Sequence, residues 1–335
     1  MQTYLSIAPG ITTAISAAEL RSMYIEMLRI REAEERLADM IAAGEIRCPV
    51  HLYIGQEAVA VGVCKALETT DYIFGGHRSH GHYLAKGGDL RAMVAEILGK
   101  ETGCSKGRGG SMHVAAPEVG LPGTSAMVGT GIPLAVGAAI AFAMQRTSRV
   151  AAVFFGDGAT EEGGFYESLN LAALRKAPVI FVCENNLYSS HIHIRDRRPA
   201  DNLDALAAVH SMPAVRIDGN DVVTVYQTAR EAVTRARQGH GPTFIECRTY
   251  RWRGHVGPNY DIDKGLRSQE ELSEWQARCP IHSLEARLLN QGILTDTEVT
   301  RLRQAVMDEV AAAIAFARQS PYPNPDTLSD YVFAQ

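Results

Sequence analysis

The sequence predicts an α/β protein built on a doubly wound, mainly parallel sheet, with helical extensions at both ends. Three observations carry that prediction. Short β-branched and aromatic runs at Val150–Phe155, Val179–Cys183, Ala214–Ile217 and Thr243–Cys247 alternate with helical stretches such as Ile132–Gln145, the pattern of strands joined by crossover helices. The runs "VAAVFF" and "VIFVC" lack polar alternation, as strands covered on both faces do. Beyond about residue 268 the strand signals stop, and "SQEELSEWQARCP", "IHSLEARLLNQG" and "TDTEVTRLRQAVMDEVAAAIAFARQ" read as helices.

The first element begins at Ser16-Ala-Ala-Glu19, a capping box, in which a serine and a glutamate three residues apart satisfy each other's backbone N–H groups. Leu20, Tyr24, Met27, Leu28, Leu37, Met40 and Ile41 approximate a helical stripe that ends near Gly44. We divide the chain into a helical segment over 1–45, an α/β domain over 46–265 and a helical extension over 266–335. The extension ends in "PYPNPDTLSDY", an irregular tail laid against the body or a partner. With 335 residues, 46% hydrophobic and 21% charged, there is material for one large core.

Composition also excludes. A formal charge of -5 spread among alternating signs leaves no basic stripe for nucleic acid or an anionic membrane. The start, "MQTYLSIAPGITTAIS", lacks a basic leader and a continuous apolar core, and no later segment approaches bilayer-spanning length, so we expect a cytoplasmic location. Six cysteines without a Cys-x-x-Cys pair read as reduced and mostly structural.

The chemistry concentrates between Phe154 and Asn186. Asp157 follows one apolar strand, a helix around Glu167–Leu174 intervenes, and Asn185 and Asn186 follow the next strand. Ligands of open parallel sheets bind at the carboxyl edge. Carboxylate and amide oxygens are hard donors suited to Mg²⁺, which takes its remaining ligands from water and phosphates. Gly-Asp-Gly alone is an ordinary turn; the second strand and its asparagines favour a diphosphate–metal site.

"GDG", 26 residues, then "NN" resembles the thiamine-diphosphate binding motif. The wider chain resembles the alpha subunit of the decarboxylating component of 2-oxo acid dehydrogenase complexes, of pyruvate or acetoin type. The likeness runs from about Leu28 to Asp263 through "HLYIGQEA", "HRSHGHYLAKG", "GCSKGRGGSMH", "VGTGIPLAVGAAIA", "FFGDGA", "ESLNLAALRKAPVIFVCENN" and "TYRWRGH". It implies a thiamine-diphosphate-binding fold with Mg²⁺ on Asp157, Asn186 and the Tyr188 carbonyl. Gly156, Gly158 and Ala159 would lie along the diphosphate, Arg78 would neutralise it, and the Val128 main chain would hold the aminopyrimidine ring. His255 matches the family's catalytic histidine and His51 a second one in the active site.

The cofactor carries the difficult chemistry and the protein supplies geometry and electrostatics. In the family, the glutamate that activates the cofactor belongs to the beta subunit. The resemblance therefore implies half an active site, a beta partner in an α₂β₂ heterotetramer, an oxo substrate of small size, and a lipoyl-bearing acyltransferase as acyl acceptor. A carboligase acting on a sugar or other carbonyl, and a non-catalytic assembly paralogue, are the alternatives.

Other motifs do less. His77, His80 and His82, or His191 and His193, would suit zinc, but no acidic or cysteine partner is suitably spaced. "KGRGGSMH" lacks the Gly-Lys-Ser/Thr ending of a phosphate loop, so Ser111 and His113 are assigned no chemistry. Val256 stands where mammalian pyruvate enzymes carry a phosphorylated serine, and "NLYSSHIHIRDRRPADNL" departs from typical pyruvate and acetoin loops. The glycines and Pro258 of "RWRGHVGPNYD" mark a mobile loop at the ligand edge.

Overall fold

A computed structural model describes residues 14–327, 329 and 330. The opening thirteen residues, on which the leader argument rests, and the last residues of the tail lie outside the described residues. In chain order the helices are α1 (Ala17–Ala42), α2 (Glu57–Lys65), α3 (His80–Ala85), α4 (Leu90–Ile97), α5 (Gly131–Met144), α6 (Gly163–Arg175), α7 (Ile194–Arg197), α8 (Leu203–Ala208), α9 (Val222–Arg237), α10 (Gln269–Ala277), α11 (Pro280–Asn290) and α12 (Asp296–Gln319). The strands are β1 (Tyr72–Phe74), β2 (Ala151–Gly156), β3 (Val179–Asn185), β4 (Tyr188–Ser189), β5 (Ile192–His193), β6 (Ala214–Asp218) and β7 (Thr243–Arg248).

Five strands form one sheet in the order β1-β2-β3-β7-β6, every neighbouring pair parallel. The four predicted strands are β2, β3, β6 and β7; β1, only three residues long, adds an edge that sequence pattern did not foresee. The chain steps from β2 through α6 to β3, moves out to β6, and returns through α9 to β7 beside β3.

Alternate strand residues explain why "VAAVFF" and "VIFVC" show no polar alternation. Ala152, Phe154, Ile180 and Val182 pack into one core with residues of α1, α2 and α9. Ala151, Val153, Phe155, Phe181 and Phe244 pack into a second with Ile132 and Val136 of α5 and Phe165 and Leu169 of α6. Both faces are dry, so both sets of side chains are apolar.

Helix α1 begins as the capping box requires: Ser16 Oγ accepts from the Glu19 amide at 3.2 Å, and Glu19 Oε2 accepts from the Ser16 amide at 2.8 Å. Past its end Gly44 takes φ +75°, a left-handed value open to glycine. Helix α12 starts with the same device, Thr295 and Glu298. Its Val299, Val306, Val310 and Ile314 enter the core that holds α1, so α12 packs onto the helical layer formed by α1 and α4. No helix among the described residues is long and apolar enough to cross a membrane. All six cysteines are unpaired.

Candidate active site

At the carboxyl ends of β2 and β3 lies a cavity of about 210 Å³. Its wall includes Gly156, Gly158 and Ala159 after β2, Glu184, Asn186 and Tyr188 at and after β3, and His51, His77, Arg78, Val128, Arg251 and His255 from the loops above. Nine of the ten residues singled out from the sequence thus line one space. The tenth, Asp157, is fully buried in the turn that follows β2.

The two asparagines build the turn after β3. Asn185 Oδ1 accepts from the Leu187 amide at 3.2 Å and Asn186 Oδ1 from the Tyr188 amide at 3.3 Å. Those side chains hold Leu187 at φ +74°, a conformation a branched residue rarely adopts unaided. Asn186 Nδ2 donates to Gln56 Oε1 at 2.8 Å, which fixes its amide oxygen on the other side. Asn185 Nδ2 is committed to buried Glu246 at 2.7 Å, so this asparagine is structural.

Asp157 has two unequal oxygens. Oδ2 is paired with Arg197, whose other nitrogen reaches Glu161. Oδ1 is buried and has no hydrogen-bond partner among the described residues. Burial raises the carboxyl's pKa and Arg197 opposes that shift. A buried carboxylate oxygen left unpaired costs free energy that a cation would recover. Oxygen donors from Asp157 and Asn186 fit Mg²⁺ chemically.

The glycines fit a cofactor differently. A Cβ built on Gly156 would meet no atom within 4 Å, so that backbone faces open space. A Cβ on Gly158 would come within 2.4 Å of Ser189 Oγ and 2.8 Å of Ser189 Cβ, so this glycine lets the β4 hairpin close on the turn.

Arg78 is buried and, among the described residues, hydrogen-bonds only to carbonyls, those of Leu52 and, at 3.1 Å, His255. Burial lowers its pKa to about 10. A buried guanidinium at a cavity wall, with no carboxylate bonded to it, is a place for an anion. Arg251 is more deeply buried; it donates to the carbonyls of Arg253 and Ser190, with Asp261 3.8 Å away.

His51, His77 and His255 meet above these groups, with ring centroids 4.6 to 5.5 Å apart. Burial, with Arg78 next, lowers their pKa values to about 2, 3 and 4. All three are neutral at physiological pH. The loop bearing His255 is fastened by its own amide to Asp261 at 2.8 Å and by the Gly257 amide to the Val50 carbonyl at 2.8 Å.

Sequence reasoning missed several members. Glu184 lines the cavity, its Oε1 taken by the Tyr53 hydroxyl and by His82 Nε2 at 3.0 Å. Gln56 and Arg251 lay inside recognised motifs without being singled out. Arg197 is 40 residues from Asp157 and left no local signal.

Residues 25–326 match the family model of the dehydrogenase E1 component. The chain is 42% identical over 312 residues to the alpha subunit of acetoin:2,6-dichlorophenolindophenol oxidoreductase from Bacillus subtilis, covering 93% of this chain and 92% of that one. It is 41% identical over 323 residues to the alpha subunit of the pyruvate dehydrogenase E1 component from Porphyra purpurea, covering 94% and 93%. The corresponding subunit from Rhizobium meliloti is 37% identical over 322 residues, covering 96% and 92%.

Proposed function

The chain belongs to the dehydrogenase E1 component family, and from that premise we propose that it is the alpha subunit of a thiamine-diphosphate-dependent dehydrogenase acting on a 2-oxo acid or acetoin. The observation that carries the proposal is the buried, unpartnered oxygen of Asp157 beside a cavity that also holds Asn186 and Arg78. When bound, thiamine diphosphate supplies the electron sink for breaking a carbon–carbon bond next to a carbonyl.

The residues of this chain have separable tasks. Asp157, Asn186 and the Tyr188 carbonyl would hold Mg²⁺. Gly156, Gly158 and Ala159 would let the diphosphate approach the backbone, and Arg78 would balance its charge. The Val128 main chain would support the aminopyrimidine. His255 and His51, neutral and able to accept a proton at their ring nitrogens, would act beside the reacting carbonyl and the incoming acyl acceptor.

The names of the related alpha subunits support a beta partner; the α₂β₂ assembly and a beta-subunit activating glutamate are part of the proposal. Glu184 is this chain's carboxylate in the cavity, but Tyr53 and His82 already engage it. A lipoyl-bearing acyltransferase is the proposed acceptor. Unpaired, mostly buried cysteines suit a cytoplasmic setting.

A substrate screen on the reconstituted αβ pair tests the proposal. Pyruvate, acetoin and branched 2-oxo acids would be offered with Mg²⁺, thiamine diphosphate and a dye acceptor. Turnover of one of them is expected; a pair that binds the cofactor and reduces no dye with any would refute the reading.

A further inference from the structure

The sequence offered zinc the histidines of "HRSHGH" and of "HIH", and the fold takes the first grouping apart. His80 is engaged at both nitrogens, Nδ1 2.6 Å from Glu34 and Nε2 3.1 Å from the Ser111 carbonyl, and His82 Nε2 lies 3.0 Å from Glu184, so the three do not converge on one ion. His77, on the same segment, turns the other way and joins His51 and His255. One ring nitrogen from each of these three can be chosen so that all lie within 4.8 Å of one another. Nδ1 of His51 is buried without a hydrogen-bond partner.

We propose that His51, His77 and His255 form a second metal site in this cavity, one that takes a borderline transition-metal dication of the Zn²⁺ or Co²⁺ class on three imidazole nitrogens, with its fourth position open to the cavity. Donor chemistry separates it from the first site: Mg²⁺ prefers the oxygens of Asp157 and Asn186, whereas neutral imidazole suits zinc and its neighbours in the transition series. The three rings are held neutral by burial, so the cation would not have to displace protons near pH 7.

Geometry asks for a small movement. Tetrahedral zinc with nitrogens at about 2.0–2.1 Å sets those nitrogens about 3.3 Å apart, so nitrogens now within 4.8 Å of one another would have to close by about 1.5 Å at most. Three histidines with one open position is an established arrangement for zinc. Electrostatics works against the site on one side: Arg78 and Arg251 both repel a cation at His255. Asp261 is the opposing carboxylate there, and Glu184 is another on the cavity wall. The site should therefore bind less tightly than a structural zinc centre. A filled site would tie up the nitrogens of His51 and His255, making the metal a brake on turnover; that consequence rests on the proposed function, while binding itself does not.

The test needs no thiamine and no activity. The full chain, stripped with chelator, is titrated with Co²⁺ and followed by visible absorption and calorimetry. One equivalent is expected, with the intense d–d bands of tetrahedral cobalt, displaced by Zn²⁺ and not by excess Mg²⁺. His77→Phe and His51→Gln should each weaken binding at least about tenfold, the scale on which metal sites respond to loss of a supporting group, with circular dichroism unchanged. His282→Gln, an exposed position on α11, should bind as the parent does. If His77→Phe fails to fold, His77→Gln decides. A spectrum without tetrahedral bands at saturating cobalt, or full affinity in both His77→Gln and His51→Gln, overturns the site.

Discussion

Replacing Asp157 by Asn keeps the size of the side chain and removes its charge. The carboxylate is fully buried, one oxygen is held by Arg197 and the other has no partner. An asparagine must point its NH₂ group either at the Arg197 guanidinium, where it repels, or toward the unpartnered side, where it cannot ligate a cation. Removing one partner from a buried charged pair costs about 3–5 kcal/mol. Asn186 would remain as a ligand, and Arg197 would keep Glu161, so the lower end applies to binding. A loss of about 3 kcal/mol corresponds to roughly two orders of magnitude in Kd. Calorimetric titration of the αβ assembly with thiamine diphosphate at fixed Mg²⁺ measures it directly. Unchanged affinity for cofactor and metal would refute Asp157 as a ligand, whatever the activity did.

Other outcomes follow from the same geometry. Gly156→Ala should leave the melting temperature nearly unchanged, since its Cβ meets nothing within 4 Å, yet weaken cofactor binding; Gly158→Ala should lower both, because its Cβ lands 2.8 Å from Ser189 Cβ. Thermal denaturation and titration of both variants distinguish a cavity-facing glycine from a packing one. His255→Ala in the αβ assembly should retain cofactor affinity and lose about two or more orders of magnitude in reductive acylation of lipoamide, the scale of a positioned proton-transfer group, with a smaller fall in dye reduction; equal loss in both assays would move His255 to the carbon–carbon cleavage step. Stability should fall on acidification. His51, His77 and His255 have folded-state pKa values of about 2, 3 and 4, below an unfolded value of about 6.5. The unfolded chain therefore binds more protons below pH 6.5, and stability present above that pH is lost as pH drops toward 4, with a slope of up to about 1.4 kcal/mol per pH unit for each ring. Urea unfolding of His77→Phe between pH 7 and 5 should show a shallower decline than the parent; an equal slope would mean that His77 is solvated.

What could be read from the sequence was what local chemistry determines. The capping box at Ser16, the doubly apolar runs of β2 and β3, and the acid and amides at their ends each declare themselves within a few residues. Strand β1 did not, because Tyr72–Phe74 is too short to show a period and owes its conformation to pairing with β2. The site was legible through its motifs and incomplete through its contacts. Arg197 neutralises Asp157 from a helix far along the chain. Glu184 sits one residue before the asparagines, yet looks like strand filler until Tyr53 and His82 arrive from elsewhere. The histidine cluster is the clearest case: sequence proximity suggested His77, His80 and His82, while the fold sends two of them to buried glutamates and gathers the third with residues 26 positions earlier and 178 later.

If this chain is half of a thiamine-dependent active site, it must be inactive without its partner. The direct measurement compares dye reduction by the purified chain alone, its beta partner alone, and the reconstituted pair, each with Mg²⁺, thiamine diphosphate and either pyruvate or acetoin. Activity that appears only in the pair, and only with the cofactor, is the expected result. Robust turnover by this chain alone would contradict it, and would transfer the activating role to Glu184, the carboxylate that lines the cavity among the described residues.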